Sequence, residues 1–279
     1  MPADVVAGGV PHARPRRVPV AALLLAALTA CAAGCAPKVR LALPDGSGTA
    51  VVDLPAVVTA ARASCRAPQA LSADLRLSGR IDGSRVRGTL QVGVAADAMR
   101  LEGVAPFGAP VFVLAARPDR AVLLLPREDA VARAASADQL LDAVVGVALG
   151  AADLRAIVSG CGLAAWTADG ASTFRGGWTR VDAGPGRRLW LRAAGGDAAV
   201  ILAAEDGEWR VEYRRTGTGW PTAIRLIDTA GRGTDAVFGV DAPEALDALP
   251  EGALDVDVPA TAREVTLADL RTRRALTER

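Results

Sequence analysis

The sequence predicts an α+β protein, mainly β: a curved antiparallel sheet or half-barrel with helices covering an apolar concave face. Three observations predict it. Runs of period-two alternation lie on either side of residues 136–158, a helical pattern occupies that interval, and a further short helix precedes the first run. Strands that are apolar on one face need a cover, and a helical insertion between two antiparallel meanders supplies one.

In chain order, residues 32–53 carry Pro37, Pro44 and the run Asp45-Gly46-Ser47-Gly48, which reads as a flexible tether. Pro55 suits the first turn of a helix over about 55–66, where Val57, Val58, Ala61 and Cys65 fall near one face. Leu71, Ala73, Leu75 and Leu77 then alternate with Ser72, Asp74, Arg76 and Ser78. After the turn signal Asp82-Gly83, Val86, Leu90, Val92 and Val94 oppose Arg87, Thr89, Gln91 and Gly93, which predicts a hairpin. Met99, Leu101 and Gly103, against Arg100 and Glu102, make a third strand. The proline-bounded turn Ala105-Pro106-Phe107-Gly108-Ala109-Pro110 follows, then more continuously apolar strands at 111–116 and 121–125.

Ser136 is placed to cap a helix carrying Leu140, Leu141, Val144 and Val145. A second helix is expected over 151–158, ended by Gly160 and Gly162 around Cys161. Strands are expected again at 163–168, 172–175, 187–192, 197–204, 208–214 and 222–228, and a last sheet strand at 234–240. The cleanest period-two run is Trp209, Val211 and Tyr213 against Glu208, Arg210, Glu212 and Arg214. Residues 241–279 are proline-interrupted, with a short helix over about 267–276.

The first thirty residues read as targeting. Arg14, Arg16 and Arg17 precede an uncharged apolar stretch, 18–30, that is too short to span a bilayer. It ends in Leu28-Thr29-Ala30-Cys31, which matches the bacterial lipobox: the cysteine takes a diacylglycerol and the chain is cut before it. Ala32-Ala33-Gly34-Cys35 is a second candidate without the aliphatic head, and an uncleaved signal anchor is the alternative to both. Several acyl chains on Cys31 would anchor stably, at about 0.8 kcal/mol per buried methylene. The boundaries expected are a signal peptide at 1–30, a lipidated tether at 31–53, a half-barrel at 54–240 and a C-terminal extension at 241–279.

Cleavage there removes His12, the single histidine, and leaves 29 basic and 30 acidic residues. A mature chain without histidine excludes Ser-His-Asp and Cys-His catalysis, and the balanced charge gives no basic footprint for nucleic acid. Ser64, Ser159 and Ser172 therefore lack a base. Asp255-Val256-Asp257 reads as solvated carboxylates alternating along a strand, and Thr216-Gly217-Thr218-Gly219 lacks the lysine and spacing of a phosphate loop. No enzyme, cofactor or metal is expected. Cys65 and Cys161 form an even pair in an exported chain: either one bridge closing a loop of roughly 97 residues, or two buried thiols.

From about Leu71 to Asp228 the chain resembles the LolB-type outer-membrane lipoprotein receptors. The resemblance is carried by Met99-Arg100-Leu101-Glu102 through Ala105-Pro106-Phe107-Gly108, the helix at Leu140, the segment Asp153-Leu154-Arg155, the run Gly207-Glu208-Trp209-Arg210-Val211-Glu212-Tyr213, and Trp220-Pro221 to Asp228. It implies an antiparallel half-barrel with a helical lid over an apolar cavity. It also implies a receptor that takes acylated lipoproteins from a periplasmic carrier protein and helps insert them into the outer membrane. The family's protruding apolar turn falls at Phe107, the expected membrane contact. Leu75, Leu77, Leu90, Val92, Met99, Leu101 and Val113, with Leu141 and Leu154 from the lid, are the expected cavity lining. Ala32 in place of an aspartate after Cys31 points, by the family's rule, to a lipid anchor in the outer membrane facing the periplasm. The longer C-terminus and the cysteine pair depart from the family pattern. The competing expectation is a structural or assembly lipoprotein of the envelope with the same fold and no lipid cargo.

Overall fold

A computed structural model describes residues 40–65, 67–104, 110–195, 198–215 and 219–277. Cys31, Cys35 and Phe107, and with them the signal peptide, the lipidation site and the membrane-contact turn, lie outside the described residues. The chain divides into two compact units, Met1–Ala42 and Leu43–Arg279. The second unit contains every strand and helix named below and both of its buried clusters, so it carries its own core.

Its elements are β1 (Thr49–Ala50), α1 (Leu54–Ala63), β2 (Ala70–Ile81), β3 (Ser84–Ala95), β4 (Met99–Val104), β5 (Pro110–Arg117), β6 (Arg120–Leu125), β7 (Ala130–Ala134), α2 (Ala137–Val145), α3 (Ala151–Val158), β8 (Gly170–Phe174), β9 (Trp178–Asp182), β10 (Arg187–Gly195), β11 (Ala198–Asp206), β12 (Trp209–Arg214), β13 (Ala223–Asp228), β14 (Asp235–Leu246), β15 (Arg263–Glu264) and α4 (Leu267–Thr277). They build one mainly β, α+β fold around a 15-stranded sheet with order β1-β8-β9-β10-β11-β12-β13-β14-β2-β3-β4-β5-β6-β7-β15. Two meanders, β2–β7 and β8–β14, are joined at the centre by the antiparallel pair β14–β2, in which Leu77 faces Phe238 and Leu75 faces Val240.

This order dictates where the helices go. β7 and β8 are consecutive in the chain but lie near opposite edges of the sheet. The segment joining them must cross a whole face, and that segment is α2 and α3. Leu140 and Ala143 of α2 and Ile157 and Val158 of α3 share one buried cluster with Leu123 of β6, Leu75 of β2 and Leu189 of β10. The sheet therefore curves around the helices, and its concave face is the core.

Local chemistry sets the helix ends. The Asp53 carboxylate accepts from the Ala56 amide (3.0 Å) at the start of α1, with Pro55 in its first turn. The Asp153 carboxylate accepts from the Gly150 amide (3.1 Å) at the start of α3. Ser136 stands at the α2 N-cap, but its hydroxyl makes no capping bond. Cys65 and Cys161, just beyond α1 and α3, are joined in a disulfide with their Cα atoms 4.9 Å apart.

Several expectations are corrected. Residues 163–168 form no strand. Gly162 (φ +81°) lies so close to β11 that a Cβ there would stand 2.6 Å from the Ala204 Cβ, and Leu163 enters the core as irregular chain. β7 and β9 are additional strands. β7 reads Ala-Val-Ala-Arg-Ala and β9 carries Trp178 on the face opposite Val181, so both faces are buried and alternation is lost. The tether does not extend to residue 53: Thr49 and Ala50 pair with Thr173 and Ser172 at the sheet edge, and Arg180 donates to the Gly46 carbonyl (3.3 Å). The last sheet strand does not end at 240. β14 runs to Leu246 through a register shift between Asp241 and Glu244, where Ala242 has φ +43°.

The C-terminal extension is a strap. Arg100 donates to the carbonyls of Ala253 (3.3 Å) and Asp255 (3.1 Å), and Arg117 pairs with Asp255 (2.7 Å), so residues 255–257 lie in the strap and not in a strand. Val256, Val258 and Ala262 pack on Val113, Leu124 and Val131, forming a second small core on the convex face. β15 then pairs in parallel with β7, closing that edge, and Val265 and Leu270 rejoin the main core. Val256→Asp is expected to cost about 1–2 kcal/mol and to free the strap. Limited proteolysis should then cut the variant between residues 247 and 262; a cleavage pattern like the parent's would count against the strap.

Candidate functional site

The concave face and the two crossing helices enclose a cavity of about 160 Å³. β2 supplies Leu75, Leu77 and Ile81, which share a face because they are an even number of residues apart. Cross-strand pairing sets Leu90 of β3 opposite Leu75 and Leu101 of β4 opposite Val92. Phe112 comes from β5, Ile224 and Leu226 from β13, and Thr234 and Phe238 from the turn before β14 and β14 itself. The roof is Leu141 and Val145, one turn apart on α2, Val147 and Leu149 of the connection, and Leu154, Ile157 and Val158 at helical spacing on α3. Among the described residues of this lining, Thr234 carries the single polar side chain. Such a space shelters apolar matter; among the described residues its lining offers no charged side chain, imidazole or thiol.

Depth follows from burial. Leu75, Val92, Leu101, Ile224 and Leu226 are buried and form the floor, and Leu149, Ile157 and Val158 are the buried part of the roof. Leu77, Ile81, Leu90, Phe112, Val145, Val147 and Phe238 are half-buried and form an apolar rim. At that rim the β2–β3 turn is fastened to the turn before β14: the Asp82 amide donates to Thr234 Oγ1 (3.2 Å) and the Gly83 amide to the Gly233 carbonyl (3.2 Å). Val104 and Pro110, which bracket residues 105–109, pair with each other beside Gly103 and Phe112. The strand ends Val104 and Pro110 therefore lie at the rim; Phe107 is outside the described residues.

Two glycines shape the mouth. Gly88 faces Leu77, and a Cβ at Gly88 would meet nothing within 4 Å. The Phe112 ring lies over Gly103, where a Cβ would stand 2.4 Å from the ring. Gly103→Val is expected to push the ring off β4, at a cost of about 1–3 kcal/mol. A crystal structure of the variant that kept the Phe112 rotamer would contradict this.

A polar pocket of about 280 Å³ adjoins the cavity and shares Val147, Leu226 and Thr234 with it. It holds Asp142, Asp206, Glu208 and Asp228. Arg232 pairs with Glu208 (2.6 Å) and Asp228 (3.2 Å), Arg187 with Asp206 (3.1 Å), and Arg271 with Asp142 (2.9 Å). Burial alone would raise the Asp228 carboxyl, but the amides of Ala230 and Arg232 and the Arg232 guanidinium hold it below the usual carboxylate range. A depressed carboxyl contributes stability that is present above its unfolded pKa, about 3.9, and lost as pH falls through the folded value. The rim turn 229–234 is therefore expected to loosen only in acid. NMR titration of the Asp228 carboxyl should give a midpoint under the ordinary value, and a midpoint at or above it would mean that burial dominates.

The structure brings Leu75, Leu77, Leu90, Val92, Leu101, Leu141 and Leu154 together around the cavity. Met99 does not reach it: it is fully buried at the far end of β4, paired with Val94 and Ala116. Val113 is corrected: it points to the convex side, under Val256 and Val258, because the strap lets β5 be apolar on both faces. Phe112, Phe238, Ile224 and Leu226 were not foreseen. Phe112 lies in a continuously apolar strand with no alternation to orient it, and the other three join the site only through the β14–β2 pair. Ser64 and Ser159 donate to the carbonyls of Ala61 and Ala156 at the helix ends. Among the described residues no group of three or more His, Cys, Asp or Glu is placed to hold a metal, and no helix is long and apolar enough to cross a membrane.

No protein-family model matches the chain, and no curated protein matches it in sequence. Solved structures do show likeness. A LolA superfamily protein from Nitrosomonas europaea is 11% identical, over 74% of this chain and 99% of that one, with a TM-score of 0.49. A DUF1329 family protein from Desulfovibrio piger is 12% identical over 72% and 97%, with a TM-score of 0.47. The lipoprotein LppX of Mycobacterium tuberculosis is 15% identical over 74% and 100%, with a TM-score of 0.30. At these identities the likeness is one of backbone course and bears on no side chain of the cavity.

Proposed function

We propose that this protein is an envelope lipoprotein that receives the acyl chains of other lipoproteins in the cavity and helps insert them into the outer membrane. In this reading it is held by lipid on Cys31, faces the periplasm, takes its cargo from a periplasmic carrier and touches the membrane with Phe107. The observation that carries the reading is the cavity itself: an apolar floor and an apolar half-exposed rim under a helical roof. An acyl chain in water is unfavourable along its whole length, so its transfer needs such a shelter.

The size of the cavity adds a requirement. A Leu/Ile/Phe-lined cavity of about 150 Å³ holds a molecule the size of benzene, whereas sites for larger ligands run to about 300–1,000 Å³. At about 160 Å³ the space admits the end of a chain, and a whole palmitoyl group enters only as the roof moves. The connection between α2 and α3 begins at Gly146 (φ +70°) and ends at Gly150, which gives the roof two points of bending. The small volume also favours the second reading, a structural or assembly lipoprotein with a filled body.

Native mass spectrometry of the body from Pro37 to Arg279, incubated with a palmitoylated peptide, separates the two. Stoichiometric binding, reduced at least tenfold by Gly88→Phe, is expected of the receptor. Transfer to liposomes should be lost in Phe107→Glu while binding persists. No acyl binding by the folded parent would remove the receptor reading and leave the cargo-free one.

A further inference from the structure

The turn end of the β2–β3 hairpin, from the Leu75–Leu90 pair outward, has two unlike faces. Leu77, Ile81, Val86 and Leu90 lie on the concave side, three of them on the cavity rim. Arg80, Arg85 and Arg87 lie on the other side, and all three are exposed. Arg80 is the direct cross-strand partner of Arg85, and Arg87 is two residues further along, opposite Ser78. At about 3.3 Å per residue the three stems fall within about 7 Å along the strand.

Like charges directly opposite one another in a sheet are unfavourable. Several arginines elsewhere on this outer face are matched: Arg76 with Asp241, Arg100 with Glu102, Arg210 with Glu212, Arg225 with Asp235. Asp235 is the β14 partner of Arg80 in register, yet its carboxylate is held by both Nε and Nη2 of Arg225 at 2.7 Å. Among the described residues, none of Arg80, Arg85 and Arg87 is in an ion pair. The cluster is local, since the whole chain has a net charge of only +1. A local sheet rule is broken at the mouth of the cavity, where a compensating contact has to come from outside the described residues.

We propose that the outer face of this hairpin docks the cavity mouth on a membrane surface rich in anionic phospholipid, its arginines meeting headgroup phosphates. Guanidinium groups on long apolar stems reach phosphates while an adjacent apolar edge rests against the acyl boundary. The geometry then sets the mouth toward the bilayer, whether or not the cavity carries an acyl chain.

The test is co-sedimentation of the Pro37–Arg279 body, without acyl probe, on vesicles of phosphatidylcholine alone or with 30% phosphatidylglycerol. The parent should bind the anionic vesicles and release them as salt rises. The triple variant Arg80→Gln/Arg85→Gln/Arg87→Gln should partition on the order of 100-fold more weakly at low salt. Arg120→Gln/Arg175→Gln/Arg214→Gln removes the same charge from exposed positions at the opposite rim and should bind like the parent. Circular dichroism and cavity binding of the hairpin variant should match the parent, so that loss of docking is separate from loss of fold or of cargo. Equal binding to neutral vesicles, unchanged binding by the hairpin variant, or an equal loss in the opposite-rim variant would each overturn the proposal.

Discussion

Replacing both Cys65 and Cys161 by alanine is expected to lower the stability of the body by about 4–5 kcal/mol, the largest change any pair of substitutions should produce. The bridge spans 96 residues of sequence. That interval contains β2–β7, α2 and α3, so the crosslink constrains a whole meander and the roof of the cavity in the unfolded chain. The loop-closure entropy of so long a loop accounts for the magnitude. In the folded state the bridge pins the end of α3 to the end of α1, which fixes one end of the helical roof while the Gly146–Gly150 connection remains at the other. Urea denaturation followed by tryptophan fluorescence measures the effect. A loss under about 1 kcal/mol would mean that the reduced unfolded state is already compact.

The sheet and its helical insertion were legible because they rest on local period. Leu71 to Leu77, Val86 to Val94 and Met99 to Gly103 place one side chain in two on the concave face, and the shared face of Leu75, Leu77, Leu90, Val92 and Leu101 follows from that alone. Leu141 and Leu154 follow from the helical period in the same way. The remainder depends on contacts distant in sequence. The β14–β2 pair joins residues more than 150 apart, and no local pattern announces that Phe238 will stand opposite Leu77. The strap hides the orientation of β5, β6 and β7, because a strand covered on both faces does not alternate. For that reason the sequence pattern points Val113 to the cavity, whereas it packs under the strap. Arg80, Arg85 and Arg87 are visible as residues, but that none of them is in an ion pair among the described residues emerges only once Asp235 is seen bound to Arg225.

Arg215→Met is expected to cost about 2–4 kcal/mol, the second largest effect. The Arg215 guanidinium donates to the carbonyls of Gly160 (3.1 Å), Ser64 (3.4 Å) and Gly219 (2.7 Å). Ser64 and Gly160 follow α1 and α3, so one cation faces the negative ends of two helix dipoles at the junction that the disulfide also crosses. Burial lowers the Arg215 pKa from its usual range, and an arginine remains charged there where a lysine would shift further. Methionine preserves most of the apolar stem while leaving three carbonyls without their charged donor, each a bond of the stronger, charge-assisted kind. Arg215→Lys should lie between parent and methionine, because a point charge does not span three acceptors. The junction makes a further demand: in the background without the disulfide, Arg215→Met should cost at least 0.5 kcal/mol less or more than in the parent, since both changes release the same two helix ends. Strict additivity in that double-mutant cycle would mean that the arginine and the bridge hold the roof independently.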